Sequence, residues 1–339
     1  MPRCPFRAVS RWFALFVLWL LAAPAIAAQI ALPVTPADGL SVSVSVGGGP
    51  ARLVQVDTGS VGLIVWQGDI GADAVAEGPG EREYNSSGRI FRGTYFRTRV
   101  AFQTKNGSVR TALLRVLAVD RQDCDPAKSA CRPREGDALR HVGVLGVGFD
   151  RPAYTAADRL DQSDNPFLNL ETMRQRMMPR RYIISVQTVW LGGTPRVPGG
   201  FRILRLSRRA RGSAGAPDDW GRPIGCYTLT TDQVRQFGPF CTKLLVDTGL
   251  PEMILTLPKP KRPPGLCDPR CPAGMHVTVR AGKALNWSFV TGERGAPDYV
   301  RWGLNGTTTQ INTGRALLEH HDYLYDATQG IVGFRTTSR

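Results

Sequence analysis

Val54-Gln55-Val56-Asp57-Thr58-Gly59-Ser60 and Leu244-Leu245-Val246-Asp247-Thr248-Gly249 carry the same tripeptide, 190 positions apart. In each, an apolar run delivers an aspartate, and a glycine follows two residues later. That pattern puts a carboxylate where a strand leaves a sheet through a tight turn. One Asp-Thr-Gly is what an ordinary β-turn shows, because Asp and Gly are common there. Two copies in matching surroundings describe two similar halves whose carboxylates can face each other and share one proton.

The flanking sequence reads as β. Ser41-Val42-Ser43-Val44-Ser45-Val46 alternates as a half-buried strand does, and Gly47-Gly48-Gly49-Pro50 turns it. The next strand, residues 52–56, delivers Asp57. Short strands punctuated by Gly, Pro and Asn follow, among them residues 94–102, 111–119 and 142–147. Helical pattern is scarce. The best stretch is 167–177, with Asn165 as N-cap and Pro166 at the first helical position. The result is an all-β chain with a few short helices and no tandem repeat.

The first 28 residues read as an export signal. Arg3, Arg7 and Arg11 form a positive segment, residues 12–22 are apolar, and Ala25-Ile26-Ala27 is an A-x-A cleavage site. An uncleaved anchor is the competing reading, but the apolar run is short for a spanning helix. The expectation is a secreted or periplasmic protein; the short signal and compact chain read as bacterial. Cys4 leaves with the signal. Six cysteines remain, an even number in close sequential pairs, which predicts disulfides Cys124 with Cys131, Cys226 with Cys241, and Cys267 with Cys271. Zinc is the competing reading of Cys267-x-x-x-Cys271, and the disulfide is preferred. His320-His321-Asp322 suggests a metal, but the sequence places no third ligand, so no metal is expected.

The formal net charge is +15. One dense run holds Arg202, Arg205, Arg208, Arg209 and Arg211. Nucleic acid is a possible partner for such charge, but an export signal and the lack of a stacking-aromatic motif argue against it. A solvated loop, or loose attraction to anionic envelope polymers, is the preferred reading.

The order of these segments resembles that of pepsin-like aspartic peptidases. Asp57-Thr58-Gly59-Ser60 with Val61-Gly62-Leu63-Ile64-Val65 resembles the first catalytic turn. Tyr84-Asn85-Ser86-Ser87-Gly88, Gly93 and Val100 resemble the flap hairpin and its return strand. Val142-Gly143-Val144-Leu145-Gly146-Val147-Gly148 resembles the hydrophobic-Gly segment that buttresses the first turn, and Asn165-Pro166-Phe167-Leu168-Asn169-Leu170 resembles the helix start after it. Tyr182-Ile183-Ile184-Ser185-Val186 and Leu191-Gly192-Gly193 resemble the crossing into a second lobe. Asp247-Thr248-Gly249 resembles the second turn, and Ile311-Asn312-Thr313-Gly314-Arg315 onward to Phe334 the closing segment.

The resemblance implies a bilobal pepsin-like acid protease fold, with two six-stranded β-barrel-type lobes over 29–187 and 188–339. It implies an aspartic endopeptidase with Asp57 and Asp247 as the catalytic pair and Thr58, Gly59, Ser60, Thr248 and Gly249 in support. Tyr84 would sit at the flap tip. It further implies an extended peptide or protein substrate, no cofactor and a monomer. Three departures bear on activity. Leu250, followed by Pro251, stands where the family carries a hydroxyl after the second turn. Ile64 replaces a tryptophan on the first strand. Asn312-Thr313 is polar where two apolar residues are expected before Gly314. A non-catalytic binding protein on the same scaffold, and a basic envelope-associated structural protein, stand as the alternatives.

Overall fold

The computed structural model describes Met1 and residues 29–337, apart from 38, 152–157, 210–217, 232–234 and 304–309. The export signal and Arg211 lie outside the described residues.

The alternation of the first strand translates directly into burial. In Ser41–Val46, Val42, Val44 and Val46 are at most 2% exposed, while Ser43 and Ser45 are half-buried. Each buried valine contributes roughly 1.5 kcal/mol or more of transfer free energy. The same logic, repeated, gives an all-β protein of two lobes built from three sheets. One sheet of ten strands lies within residues 41–147 and one of seven within 224–312. The third has six strands: Ile30–Pro33, Arg181–Ile184, Thr188–Leu191, Arg202–Arg205, His321–Asp326 and Ile331–Thr336. Strand counts therefore differ from the expected two six-stranded lobes. The third sheet takes strands from early, middle and late in the chain, because apolar edges of both halves find partners there.

Arg181 shows how that sheet is fixed. It pairs with Asp326 across neighbouring strands, and its guanidinium meets the Asp326 carboxylate at 2.7 Å with both side chains almost wholly buried. It also donates to the carbonyls of Thr194, Pro195 and Arg196. A buried charge survives only when so fully partnered. Phe149 stacks on Tyr325 with ring centroids 4.2 Å apart, and the Tyr182 hydroxyl donates to the Val147 carbonyl at 2.8 Å. These contacts join the third sheet to the strand that buttresses the first turn.

Each lobe repeats one arrangement around its turn. In the first, Gly143–Val147 lies parallel to Arg52–Asp57 and antiparallel to Val61–Trp66. In the second, Gln310–Asn312 lies parallel to Gln236–Leu245 and antiparallel to Met253–Thr256. A parallel pair demands a long crossover, so the strand entering each turn and the strand bracing it are distant in sequence.

The helix expected over 167–177 is broken. Asn165 caps a short 3-10 turn, Pro166–Leu168, by accepting from the Phe167 amide. One turn of α-helix follows at Glu171–Arg174. Between them the Asn169 carbonyl accepts from the Ala112 amide and Leu170 bridges Thr111, so the backbone there is spent on a strand rather than on a helix. The expected strand over 94–102 is likewise two strands, Arg89–Thr98 and Val100–Thr104. The three neighbour pairs, Cys124–Cys131, Cys226–Cys241 and Cys267–Cys271, are disulfide-bonded. No helix among the described residues is long and apolar enough to cross a membrane.

Candidate active site

Both aspartates close their own turns. The Gly59 amide donates to Asp57 Oδ1 at 2.6 Å, and the Gly249 amide donates to Asp247 Oδ1 at 3.1 Å. The bond from a side-chain oxygen to the amide two residues on is the reason an Asp heads such a turn. The glycines have a second duty. A Cβ on Gly59 would lie 2.6 Å from the Asp247 carboxyl, and a Cβ on Gly249 would lie 2.7 Å from Asp57 Oδ1. Each turn leaves room for the opposite carboxylate, which brings the two acids into one small space.

The threonines lock the turns together from beneath. The Thr58 hydroxyl donates to the Val246 carbonyl and accepts from the Thr248 amide, at 2.6 and 3.0 Å. The Thr248 hydroxyl donates to the Val56 carbonyl and accepts from the Thr58 amide, at 2.6 and 3.1 Å. Both side chains are buried. Gln55 adds a bond to the Gly249 carbonyl at 3.3 Å.

The outer carboxylate oxygens are held by different chemistry. Ser60 Oγ donates to Asp57 Oδ2 at 2.5 Å. On the other side Leu250 has no hydroxyl to offer. Asn312 takes over: its Nδ2 donates to Asp247 Oδ2 at 2.6 Å, while its Oδ1 accepts from the Gly314 amide at 3.0 Å. Asn312 occupies the strand position equivalent to Val144, since Val144 faces Ile64 as Asn312 faces Ile254. In the sequence Asn312 stands out only as a polar residue where an apolar one is expected, with nothing local to tie it to Asp247. The signal was there in combination: a polar residue in an apolar run, together with a missing hydroxyl at 250.

Burial raises the Asp247 carboxyl to about 7, and the nearby charge of Asp57 pushes the same way. The Asn312 bond, the positive charge of Arg151 and the Gly249 amide oppose the rise. Two carboxylates so placed titrate as a unit and not singly.

Tyr84 ends the strand Val75–Tyr84, which turns through residues 85–88 into Arg89–Thr98. Its hydroxyl donates to Ser60 Oγ at 3.3 Å, and its ring meets Phe91 edge-on. Ile64 is fully buried in the cluster against which Tyr84 packs. The tyrosine thus reaches the serine that holds Asp57. Burial pushes the Tyr84 phenol up, so it stays neutral. Beyond the expected hairpin, Arg89–Thr98 pairs along its whole length with a third strand, Leu114–Cys124. This hairpin is thus backed by a sheet and by the Cys124–Cys131 loop.

The dyad opens into a cleft of about 1230 Å³ that Asp57, Asp247, Gly59, Gly249 and Tyr84 help to line. No three His, Cys, Asp or Glu side chains converge to hold a metal among the described residues. His321 is buried in the third sheet against Phe334, and His320 contacts the Gly295 carbonyl, so neither belongs to the cleft.

Residues 28–160 are similar to the PE-PGRS C-terminal aspartyl peptidase-like domain. The matched stretch contains Asp57, Ser60 and Tyr84 and ends before Asp247. No curated protein matches the chain. Over residues 28–160, the chain is similar to an aspartyl peptidase-like family.

Proposed function

We propose that the chain is an exported, pepsin-like aspartic endopeptidase in which Asp57 and Asp247 act as one catalytic pair. The observation that supports this most is the mutual approach of the two turns: each glycine yields space to the other turn's carboxylate, and Asp247 is raised into the neutral range. An acid kept neutral beside its partner is what peptide hydrolysis by this route requires.

In the reaction, a water between the carboxyls loses a proton to the ionised member as its oxygen bonds the scissile carbonyl carbon. The protonated member gives its proton to the carbonyl oxygen. The tetrahedral diol then collapses: one of its hydroxyls gives its proton to the ionised member as the C=O re-forms and the C–N bond breaks, and the amine leaves with the proton of the other member. The dyad returns to its singly protonated state, so no cofactor is consumed. An extended peptide fits a cleft roofed by a β-hairpin through backbone hydrogen bonds, and Tyr84 closes over it to exclude water. Disulfides at three sites favour an oxidising compartment, in keeping with secretion or a periplasmic location. The lobes are read as 29–187 and 188–339, acting as a monomer.

The test is hydrolysis of a mixed peptide library from pH 3 to 7, with and without a statine-type transition-state mimic. Cleavage that the mimic blocks is the expected result. A folded protein that neither cleaves nor binds the mimic overturns the proposal and favours a binding protein on this scaffold. Activity should also fall as pH rises through about 7, where Asp247 loses its proton.

A further inference from the structure

The charge of the cleft is one-sided. Eight lysines and arginines line it, against three carboxylates. Two of those carboxylates are Asp57 and Asp247. The third, Asp69, is held by Arg52 at 2.8 Å. Of the cations, Arg140 and Arg301 are also paired, with Asp137 and Glu252. Arg89, Lys128, Arg134 and Arg315 have no acidic partner among the described residues.

The arginine run on the surface is partly paired as well. There Arg208 pairs with Asp218, and Arg209 with Asp150 and Asp219. Charge is thus partly neutralised both outside and inside the cleft, and inside it four cations are left without an acidic partner among the described residues. Unpaired like charges in a confined space cost stability by mutual repulsion, and a ligand of opposite charge relieves that cost.

The four cations also flank the dyad. Arg89 sits opposite Tyr84 across the flap hairpin. Lys128 packs over Gly88 in the flap turn, from the Cys124–Cys131 loop. Arg134 belongs to a short strand beside the same return sheet. Arg315 stands on the far side: its amide bonds the Leu250 carbonyl, and its guanidinium leans over Gly39. A peptide lying across Asp57 and Asp247 would meet positive charge on both sides of the scissile bond.

Resting on the peptidase reading above, we infer that the substrate is an acidic peptide segment, with Asp or Glu flanking the scissile bond on both sides. Its carboxylates would be read by Arg89, Lys128 and Arg134 at the flap edge and by Arg315 beside the second turn. Such recognition is screened by salt, because the groups are partly solvated.

The experiment compares three peptides with one neutral core and acidic, neutral or basic flanks. Hydrolysis is measured with the native protein. Binding is measured separately, by fluorescence anisotropy, with the Asp247→Asn variant. The expected result is an acidic-over-neutral preference of at least tenfold in both, shrinking as salt is raised to 0.5 M (about one-third the screening length of dilute buffer). Arg89→Gln combined with Arg134→Gln should narrow the preference several-fold, and Arg315→Gln should do so independently. Melting curves confirm that each variant is folded. Equal cleavage of all three peptides overturns the inference and leaves the peptidase reading intact. Preferred binding of the acidic peptide without hydrolysis by the native protein keeps the inference about the cleft and overturns the peptidase reading. Equal competition by inorganic polyphosphate would identify a general polyanion site and overturn the acidic-peptide assignment.

Discussion

The two Asp-Thr-Gly turns make matching amide and threonine bonds and differ in how the outer oxygen of each aspartate is held. At the first, the residue after the glycine supplies the donor: Ser60, 2.5 Å from Asp57 Oδ2. At the second, that residue is Leu250, and the donor comes from Asn312, which is 65 positions away and 2.6 Å from Asp247 Oδ2. A buried carboxylate needs its lone pairs satisfied, and the requirement falls on the atom rather than on the sequence position. A strand neighbour can meet it as well as a turn neighbour. The exchange also alters the electrostatics. Ser60 both donates to Asp57 and accepts from Tyr84, so the first aspartate is wired to the flap. Asn312 donates to Asp247 and accepts from the Gly314 amide, so the second is wired to the backbone of its own lobe.

The largest expected effect tests whether the turns are equal in chemistry despite this difference. Asp57→Asn and Asp247→Asn should each lower kcat by about 10^4-fold, since neither amide can take part in the shared-proton cycle. Loss in one variant alone would mean that the turns do not act as a pair. The same Asp247→Asn variant carries a stability signature. Asp247 is raised to about 7 in the fold, against 3.8 as its ordinary value. Between those values the unfolded chain has released a proton that the folded chain keeps. Stability from this site is therefore full below about pH 4 and is lost as pH rises toward 7. The variant should melt higher than the native protein at pH 7 and lose that advantage at pH 4, by calorimetry across the range.

Next in size is Asn312→Leu. It strips the buried Asp247 Oδ2 of its donor, at a cost of about 1–3 kcal/mol, so kcat should drop roughly five- to hundredfold. The Asn312 bond holds the Asp247 carboxyl down, so its loss should shift the alkaline limb of the pH profile upward. Adding Leu250→Thr to that background should recover much of the loss, because it restores a donor at the position Ser60 occupies in the first turn. Leu250→Thr in the native background should change little, since Asn312 already fills the Asp247 Oδ2 site. A large gain there would show that Asn312 is a poor substitute.

Thr58→Val and Thr248→Val probe where the turns are alike. Each leaves a carbonyl and an amide of the opposite turn without a partner, at a cost of about 2 kcal/mol or more by chemical denaturation. The two costs should match, and the double variant should cost less than their sum, because the two hydroxyls lie 3.5 Å apart and brace the same pair of turns. The smallest effect belongs to Tyr84→Phe. It severs the half-buried link to Ser60, worth about 1 kcal/mol, and should lower kcat about fivefold without moving the pH profile.

Much of this could be read directly from the chain. Apolar runs ending in Asp-Thr-Gly specify a strand, a turn and a carboxylate through local geometry alone, and alternation in residues 41–46 specifies a half-buried strand. Close sequential spacing sufficed for the three cysteine pairs. The interrupted helix at 166–174 was not legible, because its fate depends on Ala112 and Thr111 competing for the same backbone. The six-stranded sheet was not legible either, since its pairings join residues near 30, 182 and 325 that no local pattern connects.

The sequence by itself determined that two aspartates would sit on glycine turns, each held by the amide two residues on. The tertiary structure decided that these turns meet, that their threonines interlock, and that Asn312 serves the aspartate Leu250 cannot. The physical reason is range. A turn is closed by atoms within a few residues, whereas the satisfaction of a buried oxygen is open to any donor that the folded chain brings within 3 Å or so.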